Sequence, residues 1–276
     1  MKPLATITVI GRDKTGVVAR VTNFLFEKKA NIEALEEQVT RGQFSMTLQA
    51  SWKTGELKVD SLRAGLSALA SQLGMEIKVR FTEHNRRQRF AIMVTKEPHC
   101  FEALMREKLK AEPALVIGNH QDFAPRAKKF GLPFEYIPWS DRAKAETAAL
   151  RLLEERGIDF VVLARFMKIL SPNFVWRHKN KIINIHPSLL PSVPGPQAYR
   201  QAYEQGVKIA GVTAHFVSMR LDGPIIAQGS FHIRPRMTLR QIIERGQKLE
   251  ADVLVKAVKL YLGKRLDVYW GVVREI

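Results

Sequence analysis

Asn184 and His186 stand two residues apart in KIINIHPSLLP (Lys181–Pro191), and Asp222 follows in RLDGPII. An amide, an imidazole and a carboxylate are the side chains that acyl chemistry uses. The amide can donate to a carbonyl oxygen as it gains charge, the imidazole can move protons, and the carboxylate can orient either the imidazole or the attacking group. Ile182 and Ile183 read as the end of a buried strand that Pro187 stops. Strand period two sends Asn184 and His186 to one side and Ile185 to the other. Pro187 also holds His186 in extended or polyproline geometry, which limits where its ring can point. Singly, each residue has a simpler use: Asn184 capping a turn, His186 as a loop histidine with its bonds satisfied, Asp222 forming a turn before Gly223. All three in register point to catalysis.

The elements that must position them come from an ordinary globular composition. The chain has 276 residues, 46% hydrophobic and 26% charged, enough for one large α/β domain and a small one. A single cysteine, Cys100, excludes an intramolecular disulfide framework and a cysteine-based metal cluster, and fits a reducing cytoplasm. No stretch approaches the roughly 18 apolar residues of a membrane span. Pro3 to Ile10 alternate with threonine and read as a first strand, not a secretory signal. The net charge of +17 is concentrated beyond residue 84, where +14 of it lies. The positives are scattered, with no arginine-rich run or aromatic-interleaved stripe, so a generic basic surface is expected rather than a nucleic-acid site.

Residues 1–83 read as β-α-β-β-α-β, a ferredoxin-like arrangement. LATITVIG alternates as a strand, two strands flank a turn at Arg41-Gly42, and Val59, Leu62, Leu66, Leu69 and Leu73 share one helical face. HNRRQR, residues 84–89, reads as the linker. From residue 90 to 276, strands alternate with helices, and the continuous apolar run DFVVLAR suits a parallel sheet covered on both faces. A long helix from Leu239 to Leu262 is expected to end a doubly wound, mostly parallel domain, whose ligands sit outside the strand carboxyl ends. Of the other histidines, His215 in TAHFV reads as a core-strand residue and His120 as a strand-end residue near the cleft. His84, His99, His178 and His232 carry no pattern, and no pair has metal-ligand context, so no metal is expected.

GRDKTGVVARVTNFLFEKKANI resembles the opening of an ACT domain. That resemblance implies an amino-acid effector, such as glycine or methionine, held near Asp13, Gly16, Asn31 and Ile32, and a homo-oligomer, dimer or tetramer, through the small domains. LARFMKILSPNFV, KIINIHPSLLPSVPGPQAYRQAYEQG and GVTAHFVSMRLDGPIIAQGSF resemble the Rossmann-like formyltransferase fold that uses 10-formyltetrahydrofolate. The family's catalytic set then falls on Asn184, His186 and Asp222. Its pterin-cradling segment falls on Phe166, Met167, Lys168, Ile169, Leu170 and Val175, with Met219 to Leu221 on the other side. Asp222 abuts Gly223-Pro224 with one residue fewer than the family usually has, which implies weakened activity.

VTKEPHCF (Val94–Phe101) offers no glycine to let backbone amides wrap a nucleotide phosphate. With the ACT-like domain in front, the whole chain resembles the formyltetrahydrofolate deformylases, in which water accepts the formyl group and the formate released supports purine synthesis and balances one-carbon pools. HPSLLP is nearer the transformylase form, since the deformylases more often carry a histidine where Pro187 stands. Transfer to an amine acceptor and a non-catalytic folate or amino-acid sensor stay open as alternatives.

Overall fold

Alternating Ala5, Ile7 and Val9 put their side chains on one face of β1 (Leu4–Arg12), and all three are fully buried. The computed structural model describes residues 2–82, 86–191, 197–219, 223–269 and 271–276. His84, Leu221 and Asp222, each singled out in the sequence, lie outside the described residues. Contacts divide the chain into two units, Met1–Arg86 and Arg87–Ile276.

In the first unit, β1 is followed by α1 (Val17–Glu27), β2 (Asn31–Thr40), β3 (Gln43–Ser51), α2 (Val59–Leu73) and β4 (Glu76–Phe81). The sheet order is β2-β3-β1-β4, with antiparallel neighbours throughout. Val17, Val21 and Leu25 of α1 and Leu62, Leu66, Leu69 and Leu73 of α2 pack on the β1 face. Val59 does not join them: at the first turn of α2 it stays 38% exposed, so the apolar face begins at Leu62.

The second unit begins at Gln88, so Gln88 and Arg89 belong to a strand and not to the linker expected at 84–89. Its elements are β5 (Gln88–Val94), α3 (His99–Arg106), β6 (Ala111–Gly118), α4 (Ala124–Lys129), β7 (Phe134–Tyr136), α5 (Arg142–Glu155), β8 (Phe160–Ala164), α6 (Pro172–Arg177), β9 (Ile182–His186), α7 (Ala198–Glu204), β10 (Ile209–Phe216), β11 (Ile225–His232) and α8 (Leu239–Leu262). The seven-stranded order is β11-β10-β9-β8-β5-β6-β7. The strands from β9 to β7 are parallel, and β10 and β11 join antiparallel. All five residues of β8 are buried, as a doubly covered parallel strand requires. One face carries Phe101 and Leu104 of α3 and Leu254 and Val258 of α8; the other carries Ala149 and Leu153 of α5 and Phe174 and Val175 of α6. The fold does not end at α8: β12 (Leu266–Tyr269) and β13 (Val272–Glu275) form a terminal hairpin.

The chain runs outward from β5 through β6 to β7, then returns to place β8 on the other side of β5. That reversal opens a crevice at the strand carboxyl ends, the general ligand position of such sheets. The loops flanking it are tied together, because the Met167 backbone N–H donates to Thr95 Oγ1 at 2.9 Å.

Candidate active site

Ile183 and Ile185 point into the core beneath α8, so strand alternation turns Asn184 and His186 of β9 to the opposite face. Asn184 is registered directly against His215 of β10, and its Nδ2 lies 3.1 Å from His215 Nε2. His215 Nδ1 in turn lies 2.9 Å from its neighbour's carbonyl oxygen, Phe216 O. This chain fixes the tautomer: Nδ1–H donates to the carbonyl, and Nε2 accepts from the amide. One Asn184 N–H is thereby used, and the second has no partner among the described residues. His215 is 4% exposed, a core-strand residue that also orients the amide.

The loop after His186 is pinned to β10 through Thr213, which is fully buried. Its hydroxyl donates to Ser188 O at 2.8 Å and accepts from the Leu190 backbone N–H and from Gln228 Nε2, each at 3.0 Å. Every hydrogen-bonding site of that hydroxyl is occupied, which holds the turn behind His186 in one shape. Nε2 of His186 is buried and has no hydrogen-bond partner among the described residues. Burial, then the neighbouring His215 and Arg165, push the imidazole pKa down to about 4 against an opposing pull from Glu250. The resting ring is therefore neutral at pH 7, able to take a proton but not to act as a standing cation.

Beyond β10 the chain returns across the same face: Val217 packs on the second core cluster, and the Phe216 N–H donates to Pro224 O at 2.8 Å. A Cβ on Gly223 would stand 2.0 Å from Phe216 O and 3.0 Å from His215 Nδ1. Only a glycine lets the residue after Asp222 lie against the strand that orients Asn184.

The segment expected to cradle a pterin divides in two. Phe166, Leu170 and Val175 are core residues of the face that carries α5 and α6, and the Phe166 ring meets Trp139 edge-on at 4.9 Å between centroids. Met167, Lys168 and Ile169 are exposed, Ile169 by 73%, and Met219 across the loop is 37% exposed. Glu146, 5% exposed, anchors the segment's end by accepting from the Ser171 N–H at 2.6 Å and from the Ser171 hydroxyl. Ser171 also caps α6.

Behind His186 lies a polar cluster that sequence reading missed. Glu250 of α8 is fully buried. It accepts from the Tyr199 hydroxyl at 2.8 Å, lies 3.1 Å from His99 Nε2 and has Arg165 Nε at 3.3 Å. Gly246, one turn earlier, makes room for this: a Cβ there would fall 2.2 Å from Tyr199 Cζ. Burial and the Glu250 charge push the Tyr199 pKa up, so the phenol stays a donor. His99, Cys100 and Glu250 hold ligand-type atoms within 4.8 Å of one another. The carboxylate they share is already engaged by a guanidinium and a phenol, and burial raises the Cys100 thiol well above its ordinary pKa. The readable signal was an acid on the apolar stripe of α8, between Ile242 and Leu254.

In the first unit, Asp13 and Gly16 occupy the turn at the end of β1, where Gly16 has φ 84°. Asn31 and Ile32 begin β2, level with Ser51 and so with Leu4 at the start of β1. Eight residues of strand separate the two pairs, roughly 26 Å. One amino acid cannot touch both within a single copy. Asn31 Nδ2 instead donates to Glu33 Oε1 at 3.0 Å.

An ACT domain model matches residues 4–80 and a formyl transferase model matches residues 88–258. Formyltetrahydrofolate deformylase of Bacillus subtilis (strain 168) is 38% identical over 267 residues, 93% of this chain and 88% of that one. The chain belongs to the formyltetrahydrofolate deformylase family. A crystal structure of a formyltetrahydrofolate deformylase from Pseudomonas syringae pv. tomato superposes with a TM-score of 0.67 at 28% identity, covering 100% of this chain and 95% of that one. A glycinamide ribonucleotide transformylase from Symbiobacterium toebii reaches a TM-score of 0.66 at 30% identity, but over only 71% of this chain and 96% of its own. Likeness to the deformylases thus takes in both units, and likeness to the transformylase is partial. No helix among the described residues is long and apolar enough to cross a membrane.

Proposed function

We propose that this chain hydrolyses 10-formyltetrahydrofolate to formate and tetrahydrofolate, with Asn184, His186 and Asp222 as its catalytic residues. Water adds its oxygen to the formyl carbon, the bond from that carbon to N10 breaks, N10 takes a proton, and the acid leaves as formate with release of one proton. The free N–H of Asn184 donates to the formyl oxygen as charge builds on it. His186 Nε2 accepts the proton of the attacking water and delivers it to N10. Asp222 orients the water and the imidazole, with Gly223 setting the close approach of its loop to His215.

The observation that carries this reading is the pairing of an amide fixed by His215 with a buried imidazole nitrogen that no described residue engages. Structural histidines at such depth are almost always bonded. Exposed Met167, Ile169 and Met219 offer apolar surface for the pterin, and Lys168 supplies a charge for an acidic tail.

The test is formate release from 10-formyltetrahydrofolate by the purified chain. Asn184→Ala removes one oxyanion donor and should lower kcat by about 100- to 1000-fold with little change in KM. Turnover that instead requires an added amine would assign the chain to formyl transfer.

The same assay addresses the ACT unit, for which we propose an amino-acid effector and a cytoplasmic setting. Because Asp13 and Gly16 lie at the far end of the sheet from Asn31 and Ile32, a second copy is needed to bring both pairs onto one ligand. The strand β2, exposed along most of its length at the sheet edge, is the natural surface for that copy. Glycine or methionine should shift turnover in the oligomer.

A further inference from the structure

Arg165 is the residue after β8, and three features set it apart. Its backbone is left-handed, with φ 62°. Such a backbone is uncommon for a residue with a side chain. It stands just past the ladder that leads to His186: the β8–β9 pairing ends at Leu163 and Asn184, and Arg165 and His186 each follow two residues further along their chains. Its direction is also exceptional. Leu163 points to the face of α5 and Ala164 to the face of α8, yet Arg165 breaks the alternation and reaches Glu250 of α8.

Glu250 does not depend on Arg165 for its hydrogen bonds. Tyr199 and His99 already reach that carboxylate. The contact from Arg165 uses Nε, and its N–H is not aligned for a hydrogen bond at 3.3 Å, so it is an ionic contact. Arg165 retains 12% side-chain exposure where Glu250 retains 1%. The side chain is therefore not wholly sealed in the core: Nε faces the acid, and part of the side chain reaches solvent. A guanidinium presents two parallel N–H donors along its far edge, the geometry that a planar carboxylate accepts.

We propose that Arg165, turned inward by its left-handed backbone and held by Glu250, is the group that takes the two oxygens of the carboxylate formed when the formyl group is released. This rests on the hydrolytic reading above, since only transfer to water makes a carboxylate at this point. Arg165 is then a substrate-contacting residue and Glu250 its positioning residue. The electrostatic influence of both on His186 agrees with their nearness to the reacting carbon.

The probe is carbon-13-labelled sodium formate added to the full chain without folate, with line broadening read against sodium chloride at equal ionic strength. The key variant is Arg165→Gly combined with Glu250→Gln: glycine accepts the left-handed backbone, and the amide avoids an unpaired buried charge. Formate binding by the wild type should weaken about 10- to 100-fold in the double variant. Arg165→Lys, which keeps the charge opposite Glu250 but not the planar fork, should also weaken it. Unchanged broadening in both variants, or no formate binding by the wild type, overturns the proposal. Formate binding that depends on Arg165 in a chain that releases no formate from 10-formyltetrahydrofolate would sustain the anion site and refute the hydrolytic reading instead.

Discussion

Raising the proton concentration isolates the role of His186. Its imidazole is depressed from 6.5 to about 4, first by burial and then by His215 and Arg165, with Glu250 pulling the other way. At pH 5 such a ring is about 90% neutral, whereas an unperturbed one at 6.5 is about 3% neutral. A neutral imidazole is the form that accepts a proton from water. The fall in kcat/KM from pH 7 to pH 5 should therefore be about 10%, against roughly 25-fold for an ordinary histidine. The cleanest assay needs no substrate: the Cε1–H resonance of His186 is titrated in the free protein and assigned by its disappearance in His186→Gln. Stability has the matching sign. Between pH 6.5 and about 4 the unfolded chain holds a proton on this residue that the folded chain refuses. Stability thus rises with pH across that window and is lost as pH falls through it. His186→Gln should flatten this slope. A titration midpoint at or above 6.5 would refute the reasoning, because the imidazolium would then be available to hold the oxyanion and the general-base assignment would lose its ground.

Two further substitutions probe the supports. Gly223→Ala places a methyl 2.0 Å from Phe216 O, a backbone atom that cannot swing aside, so the loop bearing Asp222 must move by more than an ångström. Formate release should fall about 100-fold while the unfolding midpoint changes little; unchanged kcat would separate that loop from the chemistry. Glu250→Leu strands the Arg165 charge and the Tyr199 hydroxyl, and should cost about 3–5 kcal/mol in urea unfolding. Glu250→Gln retains an acceptor for Tyr199 and should cost about 1–3 kcal/mol. Equal stability of the two variants would show that the acceptor for Tyr199 contributes nothing there.

What could be read from the chain and what could not differ by the distance over which each signal acts. The strand ending at His186 and the helical face of α2 from Leu62 to Leu73 follow from short periods, and they stand in the structure. Ser171 shows the limit of a period: α6 is only six residues, too short for an apolar face, and is set by a cap and Pro172 at its first position. His215 shows a second limit. Its neighbours are apolar and it is buried among them, so its local pattern is that of a core residue. Its partner, Asn184, becomes evident only once β10 is known to pair antiparallel with β9 in one particular register.

Glu250 is further out of reach, since its three partners come from the starts of α3 and α7 and from just past β8, as much as 151 residues away. Nothing local announces that an acid in an apolar stripe has found a guanidinium. Yet the combination is constrained from both sides. A charge buried inside α8 calls for a cation, and Arg165, with its left-handed backbone, supplies one from just past β8. One side chain thereby balances the buried acid, and the pair stands close enough to bear on the His186 imidazole.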